Sequence, residues 1–170
     1  MNGSKAPVIA DKILADTSLT QATVYFKYYV NYALNKAGMG DLYLDQLGIW
    51  KENLAYGLTT WAEMSNVNAS RSDCHAWGAS PNIELFRTVL GIDSDMPGFN
   101  HIEITPHLGK LTHASGSMPH PKGTISTGYQ LQNGGWQVHI ELPTGTTGTL
   151  HFKGRTFTLK EGKNELNVKG

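Results

Sequence analysis

One cysteine, Cys74, occurs in 170 residues, so no disulfide can close within the chain and cysteine pairing says nothing of the redox compartment. Long apolar runs are missing as well. Nothing approaches the roughly 20 residues that cross a bilayer, and a membrane is not an expected partner. Neither sign of charge prevails, Lys plus Arg and Asp plus Glu each numbering 14. Without a basic stripe to meet a phosphate backbone, nucleic acid is not an expected partner either. The charged share of 16% and hydrophobic share of 39% are ordinary for a soluble folded protein. Met1 to Pro7 lack the charged-then-apolar order of an export signal, so any such signal is expected upstream, in a longer parent. Periplasmic, secreted and cytoplasmic parents all stay open.

What is present changes texture along the chain. Ser18 with Gln21 has the spacing of a capping box and Gly38 that of a C-terminal cap, which predicts a helix between them. Its polar residues Thr23, Lys27, Asn31 and Asn35 recur every fourth position in one narrow stripe, and aromatic and aliphatic residues cover the rest. Such a helix is expected to be packed on several sides. Asp41 as cap and Gly57 as stop predict a second helix carrying Leu44, Leu47 and Leu54, and Ser80-Pro81 to Gly91 a third. Three helices cannot surround the first, so further helices upstream are expected; self-association across the same exposed helical surface, a homo-oligomer, is the alternative. From about Phe99 short alternating runs follow, such as His101 to Thr105 and Gln137 to Leu142, separated by turn signals at Asn133-Gly134, Pro143 to Gly145, Lys153-Gly154 and Glu161-Gly162. The expectation is an α+β chain in two segments, helices over 1–97 and an antiparallel β-sandwich of about seven strands over 98–170.

Between the second and third helices stand Trp61, Glu63, Arg71, Asp73, His75 and Trp77 among small and polar residues. Indole faces stack on the apolar faces of sugar rings, and carboxylates and imidazoles bond hydroxyls or take a proton from water, so the set suits a sugar site. Residue by residue, a plainer reading competes: Glu63 as an ion-pair partner of Arg71, the indoles as core, and His75 as a satisfied interior histidine. The histidines at 101, 107, 113, 120, 139 and 151 lack the tight spacing of a metal site, so neither metal nor cofactor is expected. Cys74 reads as a buried structural thiol. Asn68-Ala69-Ser70 is formally a glycosylation sequon on which nothing is built.

The ordered series Gly57-Leu-Thr-Thr-Trp-Ala-Glu63, Arg71-Ser-Asp-Cys-His-Ala-Trp-Gly-Ala-Ser-Pro81, Val89-Leu-Gly-Ile92, Pro97-Gly-Phe99, Ile104-Thr-Pro-His-Leu-Gly109 and Met118-Pro-His-Pro-Lys-Gly123 resembles the end of glycoside hydrolase family 78, the bacterial α-L-rhamnosidases. The resemblance implies that the helices are the closing part of an (α/α)6 barrel and that the strands are the family's C-terminal β-sandwich. It implies inverting hydrolysis of terminal α-L-rhamnose, with Glu63 activating water, His75 contacting the sugar, Trp61 or Trp77 forming an apolar wall, and Asp73 and Arg71 nearby. The general acid would lie upstream. Inversion needs two carboxyl groups roughly 6.5–9.5 Å apart, so this chain alone is expected to be inactive and its parent to act on a rhamnose-containing glycan. Other expectations are a parent acting on another deoxy or acidic sugar, and a non-catalytic carbohydrate-binding or structural module.

Overall fold

The computed structural model describes residues 5–169 and divides into two compact units, Met1–Glu84 and Leu85–Gly170. The units part between Glu84 and Leu85, ahead of the first strand, which begins at Ile92. No helix among the described residues is long and apolar enough to cross a membrane.

The first unit is helical. Helix α1, Ala6–Ala15, starts with Pro7 in its first turn, where a missing N–H costs nothing; the sequence pattern gave no sign of this helix. Helix α2 covers Val24–Lys36, shorter than expected at its start. Ser18 bonds Asp16 Oδ1 through both its hydroxyl, at 2.6 Å, and its N–H, at 3.0 Å, while Gln21 Nε2 turns back to Leu19 O. The capping-box residues are thus used up in a local turn, and Thr23 takes the N-cap position. A 3-10 segment, Gly40–Gln46, and helix α3, Gly48–Ala55, replace the single second helix. Asp41 lies in the first turn of the 3-10 segment instead of capping it. A 3-10 turn at Ala76–Ala79 leads into the short α4, Ser80–Glu84, so Ser80 is a helical residue and not a cap.

Helix α2 leaves most of its rings uncovered. It buries Val24, Asn31 and Leu34, whereas Tyr25, Phe26, Tyr29 and Tyr32 rank among the exposed large side chains. Asn31, from the polar stripe, is thus inside, and its Oδ1 lacks a hydrogen-bond partner among the described residues. Within this chain the apolar rings are the outward face.

The second unit opens with a single π-helical turn, Leu85–Val89, closed by Leu90 N–H donating to Leu85 O at 3.0 Å. Eight strands follow: β1 Ile92–Ser94, β2 His101–Ile104, β3 His113–His120, β4 Gly123–Gln132, β5 Gly135–Leu142, β6 Thr147–Phe152, β7 Arg155–Leu159 and β8 Gly162–Lys169. They form two sheets, ordered β1-β2-β6-β7 and β3-β4-β5-β8. All pairs are antiparallel except β2 with β6, which run parallel, a departure from the all-antiparallel expectation made possible by the long excursion through the other sheet between them. Pro119 sits in β3, an edge strand, where its missing N–H breaks no ladder.

Both sheets contribute to one apolar core: Ile92, Ile102, Ile104, Leu150 and Leu159 from the first, Ile125, Tyr129, Trp136, Val138, Ile140 and Val168 from the second. The period-2 alternation therefore reports the inward side of each strand. Asn133 with Gly134, and Lys153 with Gly154, all have positive φ, which makes two-residue turns whose twist matches the flanking strands. Tyr129 donates its phenol proton to Leu90 O at 2.9 Å, and burial raises its pKa well above the usual phenol range.

Candidate active site

Residues 58–79 form an irregular segment that two buried side chains of α3 hold in place. Asn53, 1% exposed, donates to Ile49 O at 2.8 Å and accepts the Ala62 N–H at 2.9 Å, while its own carbonyl takes the Leu58 N–H at 3.1 Å. Trp50 reaches the other end, its indole N–H donating to Gly78 O at 2.7 Å. The two arms are then joined to each other by Glu63 N–H to Ser72 O at 2.8 Å and His75 N–H to Trp61 O at 2.9 Å. Gly78 is required for that closeness, since a Cβ there would lie 2.5 Å from Trp61 Cβ.

This scaffold gathers the residues singled out above. Glu63 is buried, its side chain 6% exposed, and its carboxylate receives both Nε, at 3.3 Å, and an NH2 group of Arg71. Trp77 donates its indole N–H to Glu63 O at 3.1 Å, and the His75 ring lies against the Trp77 ring with centroids 3.9 Å apart. Trp61 is half-buried and joins through its carbonyl. Asp73 is exposed and joins through its main chain, its carbonyl accepting the Thr60 hydroxyl proton. The pairing of Glu63 with Arg71 is the plainer reading of those two residues, realised inside the cluster. Cys74 is exposed rather than buried; it lies within the second arm, where Ser72 Oγ accepts its N–H at 3.3 Å.

Sequence reasoning missed an aromatic extension of the site. Tyr25 meets Trp77 edge-on at 5.4 Å, and Tyr25 and Tyr29 share a hydroxyl contact of 3.2 Å, which together with nearby phenol charge lifts the Tyr29 pKa above its ordinary value. The signal was present in the crowd of rings on α2 but carried no information about which of them would border Trp77. The result is a carboxylate–guanidinium pair beside an imidazole and a continuous edge of partly exposed rings, a surface able to hydrogen-bond hydroxyls and to contact the apolar face of a ring-shaped ligand.

Residues 91–167 match the family model of the bacterial α-L-rhamnosidase C-terminal domain. An α-L-rhamnosidase from Alteromonas sp. (strain LOR) is 34% identical over 60 residues, 35% of this chain and 6% of that protein. The family 78 rhamnosidase of Bacillus sp. GL1 superposes with a TM-score of 0.72 at 29% identity over 83% of this chain and 17% of its own. The chain is similar to the C-terminal part of the family 78 rhamnosidases. The native α-L-rhamnosidase of Aspergillus terreus shares the fold across 98% of this chain and 21% of its own length, with a TM-score of 0.81 at 21% identity. The chain thus spans about a fifth or less of the rhamnosidase structures it resembles.

Proposed function

We propose that the full-length family 78 protein hydrolyses terminal α-L-rhamnosides with inversion, that Glu63 is the base that activates water, and that residues 1–170 alone are inactive. The observation that carries this reading is the burial of the Glu63 carboxylate beside His75 and Trp77. In this reading Arg71, whose side chain is 79% exposed, swings away without losing much hydration and leaves an oxygen of Glu63 to a water. His75 bonds a sugar hydroxyl, and Trp77 with Tyr25 lines the apolar face of the ring. Protonation of the leaving oxygen belongs to a carboxylic acid elsewhere in the parent.

The same proposal reads the helical unit as the closing part of an (α/α)6 barrel and the two sheets as a β-sandwich that supports it. The outward rings of α2 favour it, because Phe26 and Tyr29 are more than half exposed and a barrel neighbour would cover them. A second copy covering those rings is the competing arrangement, and sedimentation of the chain decides between a monomer and a dimer. The sandwich reads as support rather than as a sugar-binding platform, since Tyr129, Trp136 and Phe152 are spent in its core.

The test uses the full-length protein and p-nitrophenyl α-L-rhamnoside. Expected are first-formed β-rhamnose by NMR, a fall of about 10³-fold or more in kcat for Glu63→Gln with little change in KM, and partial rescue of that variant by azide with β-rhamnosyl azide as product. Retained configuration, or a Glu63→Gln variant with wild-type kcat, overturns the assignment. Release of p-nitrophenol by residues 1–170 alone overturns the claim of inactivity.

A further inference from the structure

We propose that the outer face of the β1-β2-β6-β7 sheet carries a divalent metal site of the zinc class, with Asp95, His101 and Glu103 as ligands and His151 as the residue that orients Glu103. The proposal is independent of the catalytic reading, because every group in it lies in the β-rich unit.

One donor atom from each of Asp95, His101 and Glu103 can be chosen so that all three lie within 4.8 Å of one another. His101 Nε2 is 3.6 Å from Glu103 Oε2. Two ligands bound at roughly 2.0–2.2 Å to one tetrahedral zinc stand roughly 3.4 Å apart, so this pair already has the spacing of ligands on a common ion. Asp95 offers a carboxylate oxygen within 4.8 Å of both.

The surroundings are arranged as a metal's second layer is. His101 Nδ1 is 2.9 Å from Thr147 Oγ1; donating its proton there leaves the lone pair of Nε2 on the carboxylate side. Thr149 Oγ1, 3.0 Å from Nε2, supplies a proton to that lone pair until an ion takes it. Glu103 is held through its other oxygen, Oε1 standing 2.8 Å from His151 Nε2, and His151 Nδ1 is in turn 3.1 Å from Thr156 Oγ1. Imidazole and carboxylate ligands fixed by hydrogen bonds at their far atoms are what a bound metal requires. Parallel pairing of β2 with β6, in the register Glu103 opposite Thr149, is what sets these groups side by side.

Charge supplies a separate argument. Asp93 is directly opposite Glu103 across the β1–β2 pair, and like charges in that relation repel. Asp95 brings a second carboxylate beside Glu103 to the His101 ring, and a dication offsets this charge. An imidazole among few oxygens favours zinc over calcium, which takes six to eight oxygen ligands.

The test is calorimetric titration of the full chain with Zn²⁺, with thermal unfolding in parallel and Ca²⁺ as the comparison ion. Expected are one equivalent of Zn²⁺ bound, a raised unfolding temperature, and no comparable effect of Ca²⁺. His101→Ala and Glu103→Gln lower the affinity by about 10-fold or more, and His151→Ala by about 10-fold through the ligand it orients. Cys74→Ser and His139→Ala leave binding unchanged, and circular dichroism confirms that each variant is folded. The proposal is overturned if the wild-type chain binds no Zn²⁺ at sub-millimolar concentration, if folded His101→Ala binds as tightly as wild type, or if Cys74→Ser abolishes the binding.

Discussion

Arg71 closes its guanidinium over both oxygens of Glu63, yet the two side chains differ sharply in exposure, 79% for the arginine and 6% for the glutamate. The pair is therefore lopsided: Arg71 loses little hydration in making it, and Glu63 depends on it. Removing the arginine should cost more than neutralising the acid, because a buried carboxylate left without its donor keeps its desolvation penalty. Arg71→Ala is expected to destabilise by about 1–3 kcal/mol, Glu63→Gln by less, and the double variant by less than the sum. Urea unfolding followed by tryptophan fluorescence measures all three, and salt should weaken the Arg71 effect. Equal stability of wild type and Arg71→Ala would show that the fork contributes nothing.

Asn53 is the point from which α3 holds the site, and its role is testable apart from any catalysis. Leucine has a similar volume but neither accepts the Ala62 N–H nor donates to Ile49 O. Asn53→Leu should cost about 1–3 kcal/mol for the buried amide left unpaired, with faster hydrogen exchange at Ala62, whose amide loses its acceptor. Unchanged protection at Ala62 in this variant would mean that the residue is held by something else.

The legible parts of the structure were those set by local chemistry. Asn133-Gly134 and Lys153-Gly154 marked their turns because few other pairs tolerate positive φ twice in succession, and Trp136, Val138 and Ile140 marked the core through alternation alone. The gathering of Glu63, Arg71, His75 and Trp77 was legible because all four lie within one short stretch. What escaped depends on partners distant in sequence. Ser18 and Gln21 had the spacing of a cap, but Asp16 captured the serine hydroxyl first. The outward turn of the α2 rings follows from what else is folded around that helix. His101 and His151 showed no metal-like spacing, since it is the parallel pairing of β2 with β6 that brings them to the same carboxylate.

Gly91 offers a severe test of the β-rich unit. Its φ is +78°, and a Cβ would lie 2.2 Å from the Thr105 carbonyl carbon and 2.3 Å from Pro106 N, all backbone atoms that cannot step aside as a side chain can. The Gly91 carbonyl also accepts the Thr105 N–H at 2.9 Å, which fixes the two segments together. Gly91→Ala combines a left-handed conformation, about 1–2 kcal/mol, with overpacking of about 1–3 kcal/mol. The expected result is a loss of roughly 2–5 kcal/mol or failure to accumulate as folded protein. Gly134→Ala, with open space around its Cβ, should incur only the conformational part. Equal losses at the two positions would contradict the close approach at Gly91.

Tyr129 makes stability depend on pH at the alkaline end. Its phenol is raised above the ordinary value of 10.0 chiefly by burial, so the folded state holds a proton that the unfolded chain releases. Below about pH 10 both states keep it, and its contribution is fully present. Above about pH 10 stability falls as pH rises, by about 1.4 kcal/mol per pH unit from this residue, until the folded phenol itself ionises. Tyr129→Phe loses the bond to Leu90 O, about 0.5–1.5 kcal/mol at neutral pH, but also loses this slope. The wild-type and variant stabilities are therefore expected to converge within about one pH unit above 10. Urea midpoints measured in steps from pH 8 upward decide the matter, and two curves that stay parallel throughout would show that Tyr129 ionises as readily in the folded protein as in the unfolded chain.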